Sequence, residues 1–255
     1  MRQRELRRSK QFVCACPACV DPCEEGGTCA GCMRCHSCGH GWQSQDPLKP
    51  MGEWRCAFAA CGGTTPYEEV IRWDDEQRAA LSSLLQAADA LPARAVETQL
   101  RDLIATALNR CHPNHALLLQ ARLALVAFGF DDSDGSPQRK LVAAQEALLL
   151  AERILPPVDA QKADLLFQIG VGLHAQAQRV MAEGRLAVAH APADAQKQRD
   201  AARAAARGAA EATKAAAEAM VRSARQWSSV QSEGIRAAPC KAAKEFAELC
   251  LSQLR

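Results

Sequence analysis

The chain has 255 residues, with 31 Lys and Arg against 29 Asp and Glu and a formal net charge of +2, so charge alone implies neither a polyanionic nor a polycationic partner. Hydrophobic residues make up 48% and aromatic residues 4%, enough apolar material for the core of one or two domains, and the abundant alanine and leucine favour helices over sheets. No apolar run reaches the roughly 18 residues that cross a bilayer, and Met1 to Lys10 lacks the apolar stretch of a secretory signal, so no membrane partner is expected and the expected location is cytoplasm and/or nucleus.

In chain order, Met1 to Gln11 carries Arg2, Arg4, Arg7, Arg8 and Lys10 against Glu5 and reads as a short basic helix. Ten of the 13 cysteines then fall between Cys14 and Cys61, in a stretch with few aliphatic residues, which therefore needs cross-links to hold a shape. A reducing compartment makes metal the expected cross-link in place of disulfides. Phe12-Val-Cys14-Ala-Cys16-Pro-Ala-Cys19 puts three thiols within six positions, a spacing that can bring all three to one ion. Phe12 beside them is either a lid on that cluster or a platform for a flat ligand.

Cys35-His-Ser-Cys38-Gly-His-Gly and Cys56-Ala-Phe-Ala-Ala-Cys61-Gly-Gly are two thiol hairpins, each followed by glycine, with 17 residues between the pairs. A turn that aims two sulfurs at one ion leaves backbone amides facing them, and glycine lets the chain reverse after the second sulfur. Cys35, Cys38, Cys56 and Cys61 thus form a complete ribbon-like zinc set. His36 and His40 are alternative ligands, though a histidine at such a place is more often a surface residue or a hydrogen-bonding support. Trp42 and Trp54, on either side of a Pro- and Gly-containing loop, are expected to cover the metal-centred core.

Residues 64–73 read as a linker between a cysteine-rich module over 1–63 and a helical domain over 74–255. Asp74 and Asp75 suit a helix start, with Leu81, Leu84, Leu85 and Leu91 on one face. Pro92 opens a second helix through Val96, Leu100 and Ile104, with Cys111 at its end as a small core residue. His112-Pro-Asn breaks the chain before a third helix to about Phe130. The run Asp131 to Pro137 is a solvated turn, too short for a calcium loop. A fourth helix reaches Leu155, and a fifth carries Leu165, Leu166, Ile169, Leu173 and Val180. These segments suggest degenerate antiparallel repeats of the tetratricopeptide kind. The alanine-rich stretch from 193 to 226 is expected to be a long helix with Arg207–Glu211, Lys214–Glu218 and Glu218–Arg222 at i,i+4, and to be the least firmly docked part. A last helix, about Ala237 to Leu254, is expected to cap the array.

The run Arg4-Glu5-Leu6-Arg7-Arg8-Ser9-Lys10-Gln11-Phe12-Val13-Cys14-Ala15-Cys16-Pro17-Ala18-Cys19 resembles the post-SET segment of SET and MYND type protein-lysine methyltransferases. In that family a basic helix runs into Phe-x-Cys-x-Cys-x-x-Cys and a helical-repeat domain follows. The resemblance implies that Cys14, Cys16 and Cys19 bind zinc and that Phe12 stacks on the adenine of S-adenosylmethionine. Lys10 stands where the family usually has a tyrosine lining the lysine channel. The SET core and MYND finger lie upstream of the motif in the family and have no counterpart here, so no catalytic residue is assigned and this chain by itself is expected not to methylate. The family also draws its fourth ligand from that core. Cys23, Cys29 and Cys32 are the nearby replacements, with Cys29-Ala-Gly-Cys32 a CxxC pair of its own, and Cys32 or Cys29 is expected.

The expected fold is therefore mostly α, with a zinc-bound N-terminal module and antiparallel helical repeats. The expected role is the C-terminal portion of such a methyltransferase, binding one or two zinc ions, and S-adenosylmethionine only if a SET core is supplied. Its helical face would hold a protein partner or substrate. A zinc-dependent nucleic-acid-binding protein and a metal or redox cysteine protein are the alternatives. They are separated by the salt dependence of nucleic-acid binding and by the reactivity of thiols in the zinc-bound state.

Overall fold

A computed structural model describes residues 6, 9–21, 28–47, 49, 51–130, 136–157, 159–190, 195–229 and 237–252. Most of the basic N-terminal segment, the side chain of Cys19, Cys23 and the acidic loop 131–135 lie outside these residues. The described residues are mostly helical, with a small cysteine-rich module toward the N-terminus. The chain divides into two compact units, Met1–Gly129 and Phe130–Arg255.

The first unit has irregular backbone over residues 11–15, with Gln11 at φ +57°, and then a single helical turn, α1 (Pro17–Val20). Four short strands follow: β1 (Met33–Arg34), β2 (Trp42–Ser44), β3 (Trp54–Cys56) and β4 (Thr64–Thr65). They form one antiparallel meander in sequence order, pairing Met33 with Gln43, Gln43 with Cys56, and Trp54 with Thr65. Strands of two or three residues are too short to persist on ladder hydrogen bonds alone. The thiols on the connecting turns have to supply the rest.

The expected linker over 64–73 is instead β4 and the start of a helix, α2 (Tyr67–Ala87). Pro66 sets the entry angle (φ −58°, ψ 141°), and Glu68 and Glu69 place negative charge in the first turn. The helix thus starts seven residues before the Asp74–Asp75 pair. Asp74 faces inward and is bound by Arg78 Nε at 2.8 Å. A short 3-10 turn (Ala88–Ala90) leads to α3 (Ala93–Arg110), which buries Val96, Leu100, Ile104 and Ala107. α4 (Ala116–Phe128) buries Leu117, Leu118, Leu119, Ala121, Ala124, Leu125 and Val126. Its first turn is capped by His115, whose Nδ1 accepts from the backbone N–H of Leu117 at 3.2 Å. At its end Gly129 is obligatory, because a Cβ there would meet the Leu125 carbonyl oxygen at 2.7 Å.

The helices of this unit are not a separate domain from the ribbon. β1 pairs on its outer edge with Cys111, the residue that ends α3. The boundary expected near residue 63 therefore falls inside a continuous structure, and the division comes after α4.

The second unit is a row of helices in which each packs on its chain neighbour: α5 (Ser136–Ile154), α6 (Ala160–His190), α7 (Ala195–Ser229) and α8 (Ala237–Ser252). Lys162 is buried and caps the end of α5, donating to the carbonyls of Leu155 (3.0 Å) and Pro156 (2.8 Å). The alanine-rich helix departs from expectation. α7 is not loosely attached but lies between α6 and α8, burying Ala209, Ala216, Ala217, Ala219, Met220, Ser223 and Ala224. Small side chains let the backbones approach closely, so dispersion contacts replace side-chain area. Met220 packs directly on Gly170 of α6, Val180 lies beside Gly208, and Ser223 Oγ donates to the Ala163 carbonyl at 2.8 Å. Gln226 closes the seam by donating to Pro157 O (3.1 Å) and accepting from Asp159 N (3.4 Å). Among the described residues none of the three expected i,i+4 pairs on α7 closes into an ion pair, whereas Lys241 and Glu245 on α8 do so at 3.7 Å.

Candidate metal centre

The two hairpins read from the sequence meet in space. Cys35 and Cys38 lie on the β1–β2 turn, while Cys56 ends β3 and Cys61 follows on the β3–β4 turn. All four sulfurs lie within 4.8 Å of one another. Cys35 Sγ is 3.6 Å from Cys61 Sγ, and Cys38 Sγ is 3.9 Å from Cys56 Sγ. A tetrahedron with metal–sulfur bonds of about 2.3 Å has edges of about 3.8 Å, so these four thiols fit a metal ion such as zinc.

Glycines shape this cage in two ways. Gly39 (φ +67°) and Gly62 (φ +62°) take the left-handed conformation right after the second sulfur of each hairpin, as the spacing predicts. Gly41 and Gly63 serve a different need, because the cage leaves no room for a Cβ. At Gly41 it would collide with Cys56 Sγ, and at Gly63 it would lie 2.7 Å from Ser37 Oγ and 3.1 Å from Cys35 Sγ.

The electrostatics separate the hairpins. The backbone N–H groups of Gly41, at 3.2 Å, and His40 lower the Cys38 thiol to about 6. Burial pushes Cys35 up, but the N–H groups of Cys38 and Ser37 outweigh it and hold this thiol below its ordinary value. Burial, then the neighbouring sulfurs, pushes Cys56 up to about 12. At Cys61 the Gly63 N–H favours the thiolate, but burial and the Cys35 and Cys38 sulfurs prevail and raise it. Four thiolates repel one another at this distance, so negative charge is favoured on the first hairpin and opposed on the second. A dication removes that conflict and draws all four into the thiolate form.

The surrounding residues hold the cage by hydrogen bonds. Fully buried Gln43 accepts from Thr65 Oγ1 at 2.7 Å, and His36 Nδ1 lies 3.2 Å from the same hydroxyl. With the hydroxyl proton committed to Gln43, His36 Nδ1 is the donor. His36 is thus a support that ties the first hairpin to β4, and His40 is exposed. Trp54 is buried as expected. Trp42 stands with its edge against His112 at 4.4 Å and beneath the Arg34 guanidinium at 5.4 Å. Sequence reasoning missed Gln43, Thr65 and the crowding at Gly41 and Gly63. The Gly-x-Gly after Cys38 and the Gly-Gly after Cys61 were the available signal for the crowding.

The first site expected from the sequence includes Cys19, whose side chain lies outside the described residues. Cys14 is half-buried and Cys16 exposed, with the α1 turn starting directly after Cys16. Cys29 and Cys32 are buried and joined by a tight turn, Cys32 N–H donating to Cys29 O at 3.0 Å, with Cys29 at φ +54°. Phe12 is 49% exposed. Cys111 is a core residue as expected, its Sγ 3.8 Å from Met33 Sδ, and burial together with Asp74 pushes its thiol up to about 12. Cys250, against His174 Nδ1 at 3.6 Å, is likewise raised by burial. Neither of these two buried thiols has the character of a reactive one.

No protein-family profile matches the chain, and no curated protein matches it. No helix among the described residues is long and apolar enough to cross a membrane.

Proposed function

We propose that the chain is a zinc-stapled protein-binding module, the C-terminal portion of a SET and MYND type protein-lysine methyltransferase. The observation that carries the zinc assignment is the cage of Cys35, Cys38, Cys56 and Cys61, whose sulfur separations match a zinc tetrahedron. When bound, the ion holds the short strands in register. The methyltransferase part rests on the post-SET resemblance, supported by a half-exposed Phe12 whose ring is accessible to stack on an adenine. In this reading the segment carrying Phe12, Cys14, Cys16 and Cys19 closes the S-adenosylmethionine site, with Cys29 or Cys32 completing a second zinc, and the helices, arranged as tetratricopeptide-like repeats, hold the protein substrate.

Two measurements on the endogenous protein test this. Metal analysis is expected to find one or two zinc ions per chain, and a chain without zinc removes the whole reading. The intact mass is expected to exceed 27.5 kDa by a further domain of about 100–200 residues. A zinc-bearing species of 27.5 kDa would remove the methyltransferase part and leave a zinc-stapled binding module.

A further inference from the structure

The segment running into Cys35 has two partners. On one side β1 pairs with β2, which carries the thiol cage. On the other side, residues 30–34 lie along the corner that joins α3 to α4. Met33 pairs with Cys111 across an antiparallel bridge. The His112 N–H donates to Cys32 O at 2.9 Å, and the Ala116 N–H donates to Ala30 O at 2.8 Å. Side chains repeat the connection. Cys111 Sγ reaches Met33 Sδ at 3.8 Å, the Arg34 guanidinium reaches Leu108 O at 3.5 Å, and His112 abuts Trp42 of β2 at 4.4 Å. Ala116 is the first residue of α4, so one of these bonds satisfies an N–H that its own helix leaves unpaired.

We propose that metal occupancy of the ribbon controls the order of the α3–α4 corner, with residues 30–34 as the strap that transmits it. The proposal rests on the zinc reading of the four-thiol cage. Met33 and Arg34 lie within two residues of Cys35, and a strand of two residues keeps its position only while the cage fixes its end. When the ion leaves, β1 loses its register with β2, and the donors at His112 and Ala116 lose the carbonyls they face. The corner then exposes the first turn of α4, where Leu117, Leu118 and Leu119 are buried. The coupling is reciprocal, so weakening the corner weakens the metal site by the same factor.

A substitution separates strap from cage. Ala116→Pro removes the N–H that bonds Ala30. It suits the first position of a helix, and the preceding His115 already has extended backbone (φ −65°, ψ 138°). Hydrogen exchange of the full chain, zinc-loaded and after chelation, is the assay, with residues 136–252 as internal reference. Chelation is expected to raise exchange at 30–34 and 111–119 as well as at 35–63, leaving the reference unchanged. Ala116→Pro is expected to weaken zinc about fivefold, the equivalent of one backbone hydrogen bond. Circular dichroism of the variant should remain that of the wild type. A rise confined to 35–63, or an unchanged zinc affinity in Ala116→Pro, would overturn the coupling while leaving the zinc site standing. Failure of the wild-type chain to bind zinc would overturn both.

Discussion

Gly41→Ala is the sharpest probe of the thiol cage. A Cβ at this position would overlap Cys56 Sγ and lie 3.1 Å from Phe58 Cβ and 3.4 Å from Cys38 Sγ. Relief needs a shift of about 1 Å, well beyond the roughly 0.2 Å that a metal–ligand distance tolerates. The same residue donates to Cys38 Sγ at 3.2 Å and accepts from Cys35 N–H at 2.9 Å, so a shift also strains both of its own hydrogen bonds within the first hairpin. Two bonds at about 1 kcal/mol each, with a further 1 kcal/mol or so of overpacking, give about 3 kcal/mol, on the order of 100-fold in zinc affinity. Gly39→Ala is the control. Its Cβ would meet nothing, so its cost is at most the left-handed strain of about 1–2 kcal/mol, below that of Gly41→Ala. Competition against a chromophoric chelator reads both affinities, and cobalt substitution reports the geometry through its thiolate absorption. Zinc binding by Gly41→Ala within threefold of the wild type would refute the cage geometry, as would a weaker site in Gly39→Ala than in Gly41→Ala.

The remaining predictions concern protons and helix packing. Cys56, pushed up to about 12, and the raised Cys61 give up protons to the ion, while Cys38, at about 6, is already a thiolate above that pH. Zinc binding near pH 8 is therefore expected to release protons, those of Cys56 and Cys61 among them, so affinity rises with pH and falls more steeply below about pH 6 as Cys38 protonates. Calorimetry in buffers of different ionisation enthalpy measures this directly. In the second unit, Met220→Ala is expected to cost about 2–4 kcal/mol in denaturant unfolding. Gly170→Ala, whose Cβ would lie 2.6 Å from Met220 Cε, costs less when Met220 is already alanine than it does alone. Gln226→Ala removes the two bonds to the α5–α6 connection, and Tm is expected to fall by about 2–4 °C.

The thiol cage was readable because its logic is local: two sulfurs on one turn, with glycine where the chain must reverse. The helices were readable from apolar spacing and from Pro92 and the His112-Pro113 break. Other features were not. The start of α2 was misplaced because two acidic pairs, Glu68–Glu69 and Asp74–Asp75, carry the same signal, and only burial of Val70 and Trp73 distinguishes them. The docking of α7 was missed because alanine content measures lost side-chain area and says nothing of how closely two backbones approach. The strap of residues 30–34 was missed because backbone bonds to residues some 80 positions away leave no trace in periodicity or composition.

That separation along the chain also sets an order of events during synthesis. Cys61, the last sulfur of the cage, leaves the ribosome well before Ala116, which follows it by 55 residues. At about 5–20 residues per second the interval is roughly 3–11 s. During it the four thiols can already gather an ion, while the corner that will brace β1 has not yet been made. A nascent chain that captures metal in this window presents a finished strand edge to the α3–α4 corner as it emerges. A chain that misses it must form the corner first, against an edge that has no fixed register.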